Sequence, residues 1–157
     1  LSRSKKYISQ EEALAKLQRF CAYQDRCHQE VRSKLIDLGI YGDSLEEIIA
    51  NLIQDNFLNE ERFARSYARG KFRIKQWGRN RIKKELFLRN ISAYCIKKAL
   101  EEIDEEHYVQ TMDHLIEKRR TVIKEKNLFV LRGKIANYLI GKGYESHLAW
   151  ERTKNSF

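Results

Sequence analysis

Residues Ile82–Ile91 read IKKELFLRNI, and the same pattern stands at Val31–Ile40 (VRSKLIDLGI) and at Ile135–Tyr144 (IANYLIGKGY). Each stretch opens with an apolar pair spaced i, i+4: Val31 with Leu35, Ile82 with Leu86, and Ile135 with Leu139. That spacing places both side chains on one helix face, toward a core. Each stretch closes with Gly39, Asn90 or Gly143, the residue types that most easily take the left-handed turn at a helix C-terminus. The three stretches are thus three copies of one helix end, recurring at a period of about 50 residues.

Working outward, a second signal precedes each copy. LNEERFA from Leu58 and IDEEHYV from Ile103 share one order of apolar, capping, acidic, acidic, polar, aromatic and small apolar residues, and ISQEEAL from Ile8 is a looser third version. Asn59, Asp104 and Ser9 are placed to accept a backbone N–H as N-caps, and the acids after them sit where the helix dipole favours negative charge. Ser9 and Glu12 also have capping-box spacing. After each copy comes a third apolar segment: Leu45 to Asp55 with Ile48, Ile49, Leu52 and Ile53; Ser92 to Ile103 with Ile96, Ala99 and Leu100; Ser146 to Lys154 with Leu148 and Trp150. Gly70 and Gly78 interrupt the long helix that starts at Asn59, and its end is expected near Trp77.

The chain has no proline, and its apolar residues return every three or four positions, so it reads as helix after helix. The expected fold is all-α: three tandem three-helix repeats of about nine helices, in an elongated, curved array of right or left hand. The expected repeats are residues 1–57, 58–102 and 103–157. A unit of this size buries little apolar surface alone, so neighbours must lend each other a face.

Of the 157 residues, 42% are hydrophobic and 34% charged; 31 Lys and Arg against 22 Asp and Glu give a net charge of +9. Enough apolar residues are present to fold, and the basic excess favours a polyanionic partner, because neutralising phosphates releases counterions. The three cysteines, Cys21, Cys27 and Cys95, have no C-x-x-C spacing, which leaves reduced, cytosolic thiols as the plain reading. The basic start LSRSKKYISQEEALAKL lacks the apolar run of a signal peptide, and no stretch approaches membrane-spanning length. A cytoplasmic protein with no membrane contact is expected.

The basic excess is concentrated. Arg62, Arg65, Arg69, Lys71, Arg73, Lys75, Arg79, Arg81, Lys83 and Lys84 fall between Arg62 and Lys84 with no acid among them. At 100° per residue Arg62, Arg65, Arg69 and Arg73 share an arc of about 80°, beside a face expected to pack through Phe63, Tyr67 and Ile74. A solvated helix face normally alternates charge sign at i, i+4. The run therefore reads as a contact surface, against the plainer alternative of pairing with Glu46, Glu47, Glu60 and Glu61. Tyr67, Phe72 and Trp77 have the chemistry to stack on bases and equally that of core residues.

No catalytic, metal or cofactor site is expected. His28, His107, His114 and His147 lack the companions of a zinc site, and adjacent Cys27 and His28 point in different directions on a helix. The GKG at Gly141 lacks the rest of a P-loop, and the pairs Glu60/Glu61 and Glu105/Glu106 sit in first helical turns where the dipole accounts for them.

The segment FLNEERFARSYARGKFRIKQWGRNRIKKELFLRNI, residues 57–91, resembles the signature of the RecX family, regulators of the RecA recombinase, through Leu58, Phe63, Ala64, Tyr67, Gly78, Arg81, Ile82, Glu85 and Leu86. RCHQEVRSKLIDLGI in the first repeat and GKIANYLIGKGY in the third are similar too; Asn90 departs from the family's usual glycine, and residues 108–130 match poorly. The resemblance implies a non-enzymatic monomer that binds the groove of a RecA filament on single-stranded DNA and restrains its extension, ATP hydrolysis, strand exchange and stimulated repressor cleavage. It leaves direct contact with the DNA open. The alternative is an autonomous basic helical DNA-binding protein.

Overall fold

The computed structural model describes residues 8–157; residues 1–7, the basic start of the first expected repeat, lie outside the described residues. The described residues form nine helices and no strand: α1 (Gln10–Tyr23), α2 (His28–Asp37), α3 (Gly42–Gln54), α4 (Glu60–Lys75), α5 (Arg79–Leu88), α6 (Ala93–Leu100), α7 (Glu105–Val122), α8 (Leu128–Gly141) and α9 (Ser146–Ser156).

The recurring helix starts take the same geometry. The side chains of Ser9, Asn59 and Asp104 accept from the backbone N–H of Glu12, Arg62 and His107 at 3.1, 2.9 and 3.0 Å, which satisfies one orphan donor at the head of α1, α4 and α7. The recurring ends match as closely. Gly39, Asn90 and Gly143 have φ of 83°, 60° and 104°. The next residues, Ile40, Ile91 and Tyr144, donate back to the carbonyls of Leu35, Leu86 and Leu139 at 2.9, 3.2 and 3.1 Å. Those are the long bonds of three Schellman turns, each with its following apolar side chain buried. Leu35, Leu86 and Leu139 are all fully buried, as their shared register requires. α4 runs through Gly70 and stops at Lys75, where Gln76 turns left-handed at φ 56°.

The closest helix packing lies within α1–α3, within α4–α6 and within α7–α9. The first three helices close around Leu17, Val31, Leu35, Ile48 and Leu52. α4 to α9 share a second, continuous core running from Phe63 and Leu86 to Ile135 and Leu139, into which Cys27 also projects. The accessible surface of 10418 Å² exceeds the about 8,300 Å² of a compact monomer of 18.8 kDa, as an extended array demands.

α4–α6 and α7–α9 meet backbone to backbone. Gly78 donates to the carbonyl of Lys142 and Asn80 to that of Gly143, both at 2.9 Å. A Cβ on Gly78 would lie 2.3 Å from the Gly143 carbonyl carbon, and one on Gly143 would lie 2.4 Å from Cβ of Arg81. Gly78 is therefore no helix interruption; it starts α5 and is the point of closest approach between the two groups.

Three apolar residues expected to pack do not. Ile74 is 80% exposed; the buried face of α4 is Phe63, Ala64, Ala68 and Phe72, and in the last turn it is Phe72 that packs, against Tyr108. Ile53 and Trp150 are also exposed and Leu100 is half-buried, with Ala149 and Thr153 filling the core side of α9.

Candidate basic contact surface

The ten cations from Arg62 to Lys84 divide into two sets by what surrounds them. Arg62, in the first turn of α4, binds Asp25 at 2.8 Å through Nε and the carbonyls of Asn56 and Phe57 through its terminal nitrogens at 3.0 and 3.1 Å. It ties the α3–α4 turn to the α1–α2 connection. Arg65 reaches Glu61 at 3.3 Å and Glu102 at 3.0 Å, and Arg69 reaches the same Glu102 oxygen at 3.2 Å. The Arg65 hydrogen bond, joined by Arg69, holds the Glu102 carboxyl below the usual carboxylate range.

Arg79 is enclosed further. Its guanidinium lies 3.8 Å from the centre of the Tyr108 ring and binds Glu145 at 2.8 Å and also Glu105. The Tyr108 hydroxyl accepts from the Arg79 backbone N–H at 3.0 Å and donates to Glu145. Burial works to raise the Glu145 carboxyl, but the Tyr108 hydroxyl and Arg79 outweigh it and hold it below its ordinary value. Desolvation and the Glu145 partner push the Tyr108 hydroxyl well up, so it stays a donor. Tyr108 stacks near Phe72 and Tyr144, and the Tyr144 hydroxyl donates to the Gln76 carbonyl at 2.8 Å. This network locks the same joint that Gly78 and Gly143 form.

Lys71 and Arg81 are spent on aromatic faces. Trp77 lies between them, 5.0 Å from Lys71 Nζ and 4.2 Å from the Arg81 guanidinium, with Tyr67 alongside and Arg89 over its ring at 4.9 Å. Trp77 and Tyr67 are half-buried and Phe72 is buried, so none of the three aromatic candidates offers an open ring face.

Arg73, Lys75, Lys83 and Lys84 remain, all exposed and without an ion-pair partner among the described residues. Arg81 is exposed beside them. The free positive charge thus lies at the C-terminal turn of α4 and on the outer side of α5, not along the Arg62–Arg69 arc. Glu102, Asp25 and Glu145, which occupy the internal set, were absent from the sequence reading because each lies dozens of residues from its arginine. A further concentration of cations, Lys118, Lys124 and Lys126 around exposed Val122 and Phe129, stands at the α7–α8 tip; the run KRRTVIKEK signals it.

No helix among the described residues is long and apolar enough to cross a membrane. Among the same residues no group of His, Cys, Asp and Glu is arranged to hold a metal ion.

Residues 59–100, spanning α4–α6, match the second three-helix domain of RecX. The chain is 32% identical over 122 residues to the regulatory protein RecX of Clostridium perfringens strain 13, covering 76% of this chain and 57% of the relative. It is 28% identical over 125 residues to the regulatory protein RecX of Bacillus cytotoxicus, covering 80% of this chain and 46% of the relative. The chain spans about half the length of the curated relatives it matches. The crystal structure of RecX from Lactobacillus salivarius superposes with a TM-score of 0.85 at 24% identity, covering 94% of this chain and 96% of that one. A crystal structure of regulatory protein RecX gives 0.83 at 21% identity, covering 93% and 73%. With one fold in common, a domain match centred on α4–α6 and sequence similarity beyond both ends of that domain, this chain is similar to RecX proteins over most of its length.

Proposed function

We propose that this chain is a non-enzymatic regulator of the RecA recombinase that lies along the RecA–single-stranded DNA filament and restrains its extension, ATP hydrolysis and strand exchange. The observation that carries the reading is the unpaired cationic surface of Arg73, Lys75, Lys83 and Lys84 on the very helices that match the family's second three-helix domain. In this reading residues 1–57, 58–102 and 103–157 act as three modules of a cytoplasmic monomer, each meeting a successive part of the filament, as extended repeat proteins meet long partners. The cations steer the encounter toward a polyanion and hold register by contacts to phosphates or carboxylates.

Co-sedimentation tests it. The chain should pellet with RecA filaments at physiological salt and bind the same oligonucleotide without RecA at least about tenfold more weakly. Equal binding to naked DNA, with no dependence on RecA, would replace the reading by that of an autonomous basic DNA-binding protein. Replacing Lys83 and Lys84 by Gln should weaken filament binding without changing helical content.

A further inference from the structure

The outer side of α5 carries more than charge. Phe87 is 71% exposed and Leu88 56% exposed, two large apolar side chains side by side at the end of a helix whose opposite face, Ile82 and Leu86, is fully buried. Lys83, Phe87, Asn80, Lys84 and Leu88 share an arc of about 140° on the helix. Lys83 stands one turn before Phe87, and Lys84 one turn before Leu88.

The Lys83–Phe87 pair recurs, while Lys84 and Leu88 align with Ser33 and Asp37. In the register fixed by the left-handed residues Gly39 and Asn90, Ile36 on α2 is the counterpart of Phe87, and Arg32 that of Lys83. Ile36 is 47% exposed, and Arg32 is exposed and bound to Glu46 at 2.6 Å. In the third copy the equivalent Ile140 is half-buried against the core.

We infer that Phe87 with Leu88, and Ile36 one repeat earlier, are apolar anchors that enter pockets rimmed by carboxylates on a protein made of repeated subunits; this rests on the filament reading above. Two features favour protein over nucleic acid. An aliphatic side chain takes the same place as the phenyl ring in the preceding repeat, and an aliphatic group fills a pocket but gives a base no π-face. Lysines beside an apolar anchor match an acidic rim around an apolar pocket, the usual anatomy of a protein interface core. An anchor present in two successive repeats fits a partner whose pockets also return at regular spacing.

The test compares Phe87→Ala, Phe87→Leu and Ile36→Ala with the parent protein. Inhibition of RecA ATP turnover on single-stranded DNA is measured beside binding to the same oligonucleotide without RecA. Circular dichroism and thermal melting confirm the fold, which these exposed sites should leave unchanged. Phe87→Ala should raise the half-inhibiting concentration about 30-fold, as loss of an interface hot spot does, and Ile36→Ala should raise it by a smaller factor. Phe87→Leu should stay within about threefold of the parent, and all three should bind the naked oligonucleotide as the parent does. If Phe87→Leu is as damaged as Phe87→Ala and both weaken oligonucleotide binding, Phe87 stacks on bases and the inference is overturned. If Phe87→Ala inhibits as well as the parent, the anchor assignment is overturned while the regulatory reading stands. If the parent itself leaves RecA turnover unchanged, the regulatory reading fails and the inference falls with it.

Discussion

Gly70 and Gly78 look alike in sequence, eight positions apart in one basic run, yet alanine should act on them with opposite sign. At Gly70, inside α4, an added Cβ meets nothing within 4 Å, so Gly70→Ala should stabilise by about 0.5–1 kcal/mol through the lower entropy of the unfolded chain. At Gly78 the Cβ would stand 2.3 Å from the backbone of Gly143 and Tyr144, atoms that cannot rotate away. The α4–α6 and α7–α9 groups must then part, breaking the 2.9 Å bonds from Gly78 to Lys142 and from Asn80 to Gly143. Each lost bond costs about 1 kcal/mol net, and about 1–3 kcal/mol if the donor stays dry, so the loss of both should make Gly78→Ala cost about 2–6 kcal/mol. At about 2–4 °C per kcal/mol for a chain of this size, the melting temperature should fall by about 4–24 °C, while Gly70→Ala should raise it slightly. Thermal unfolding followed by circular dichroism reads both. Equal melting temperatures for the two variants would refute the backbone joint at Gly78.

Leu86→Ala, at a fully buried site in the shared core, should cost about 2–5 kcal/mol by urea denaturation; a loss under 1 kcal/mol would contradict the register that makes it equivalent to Leu35 and Leu139. The folded-state pKa of Glu145 is depressed, so its stabilisation is fully present above the unfolded value of about 4.5 and is lost as pH falls through the lower folded value. Stability of the parent should therefore drop as pH falls below about 4.5, and Glu145→Gln should flatten that drop in denaturation at stepped pH; an unchanged slope would remove Glu145 from the joint. Arg65→Gln with Arg69→Gln should lower the melting temperature, since both hold a partly exposed Glu102, whereas Arg73→Gln with Lys75→Gln should leave melting unchanged. The reverse outcome would mean that internal and free cations have been exchanged. If Lys83 and Lys84 touch phosphates, each Gln replacement should reduce the salt slope of filament binding by about one unit; an unchanged slope leaves them in solvent.

The fold was legible in the sequence because its signals are local. Ser9, Asn59 and Asp104 announce helix starts by chemistry that acts within three residues, and Gly39, Asn90 and Gly143 announce ends by a backbone angle few residues accept. The contact surface was only half legible. Arg65 looks free in a window without acids, but the folded chain brings Glu102 to 3.0 Å from it, and Asp25 comes to 2.8 Å from Arg62. Helical periodicity groups Ile74 with Phe63 and Tyr67, yet cannot say that the folded chain leaves it bare. Nor can it find Phe87, whose exposure depends on which side of α5 the other helices leave bare.

The central claim, a regulator that acts on the RecA filament without chemistry of its own, meets its most direct test in one titration. RecA ATP turnover on single-stranded DNA is measured as this protein is added at ratios well below one per RecA subunit. The account predicts progressive loss of turnover at substoichiometric protein, with no ATP hydrolysis by the protein alone and a weaker loss when Lys83 and Lys84 are both replaced by Gln. Undiminished RecA turnover at saturating protein, under salt conditions where the protein binds the naked DNA, would contradict it.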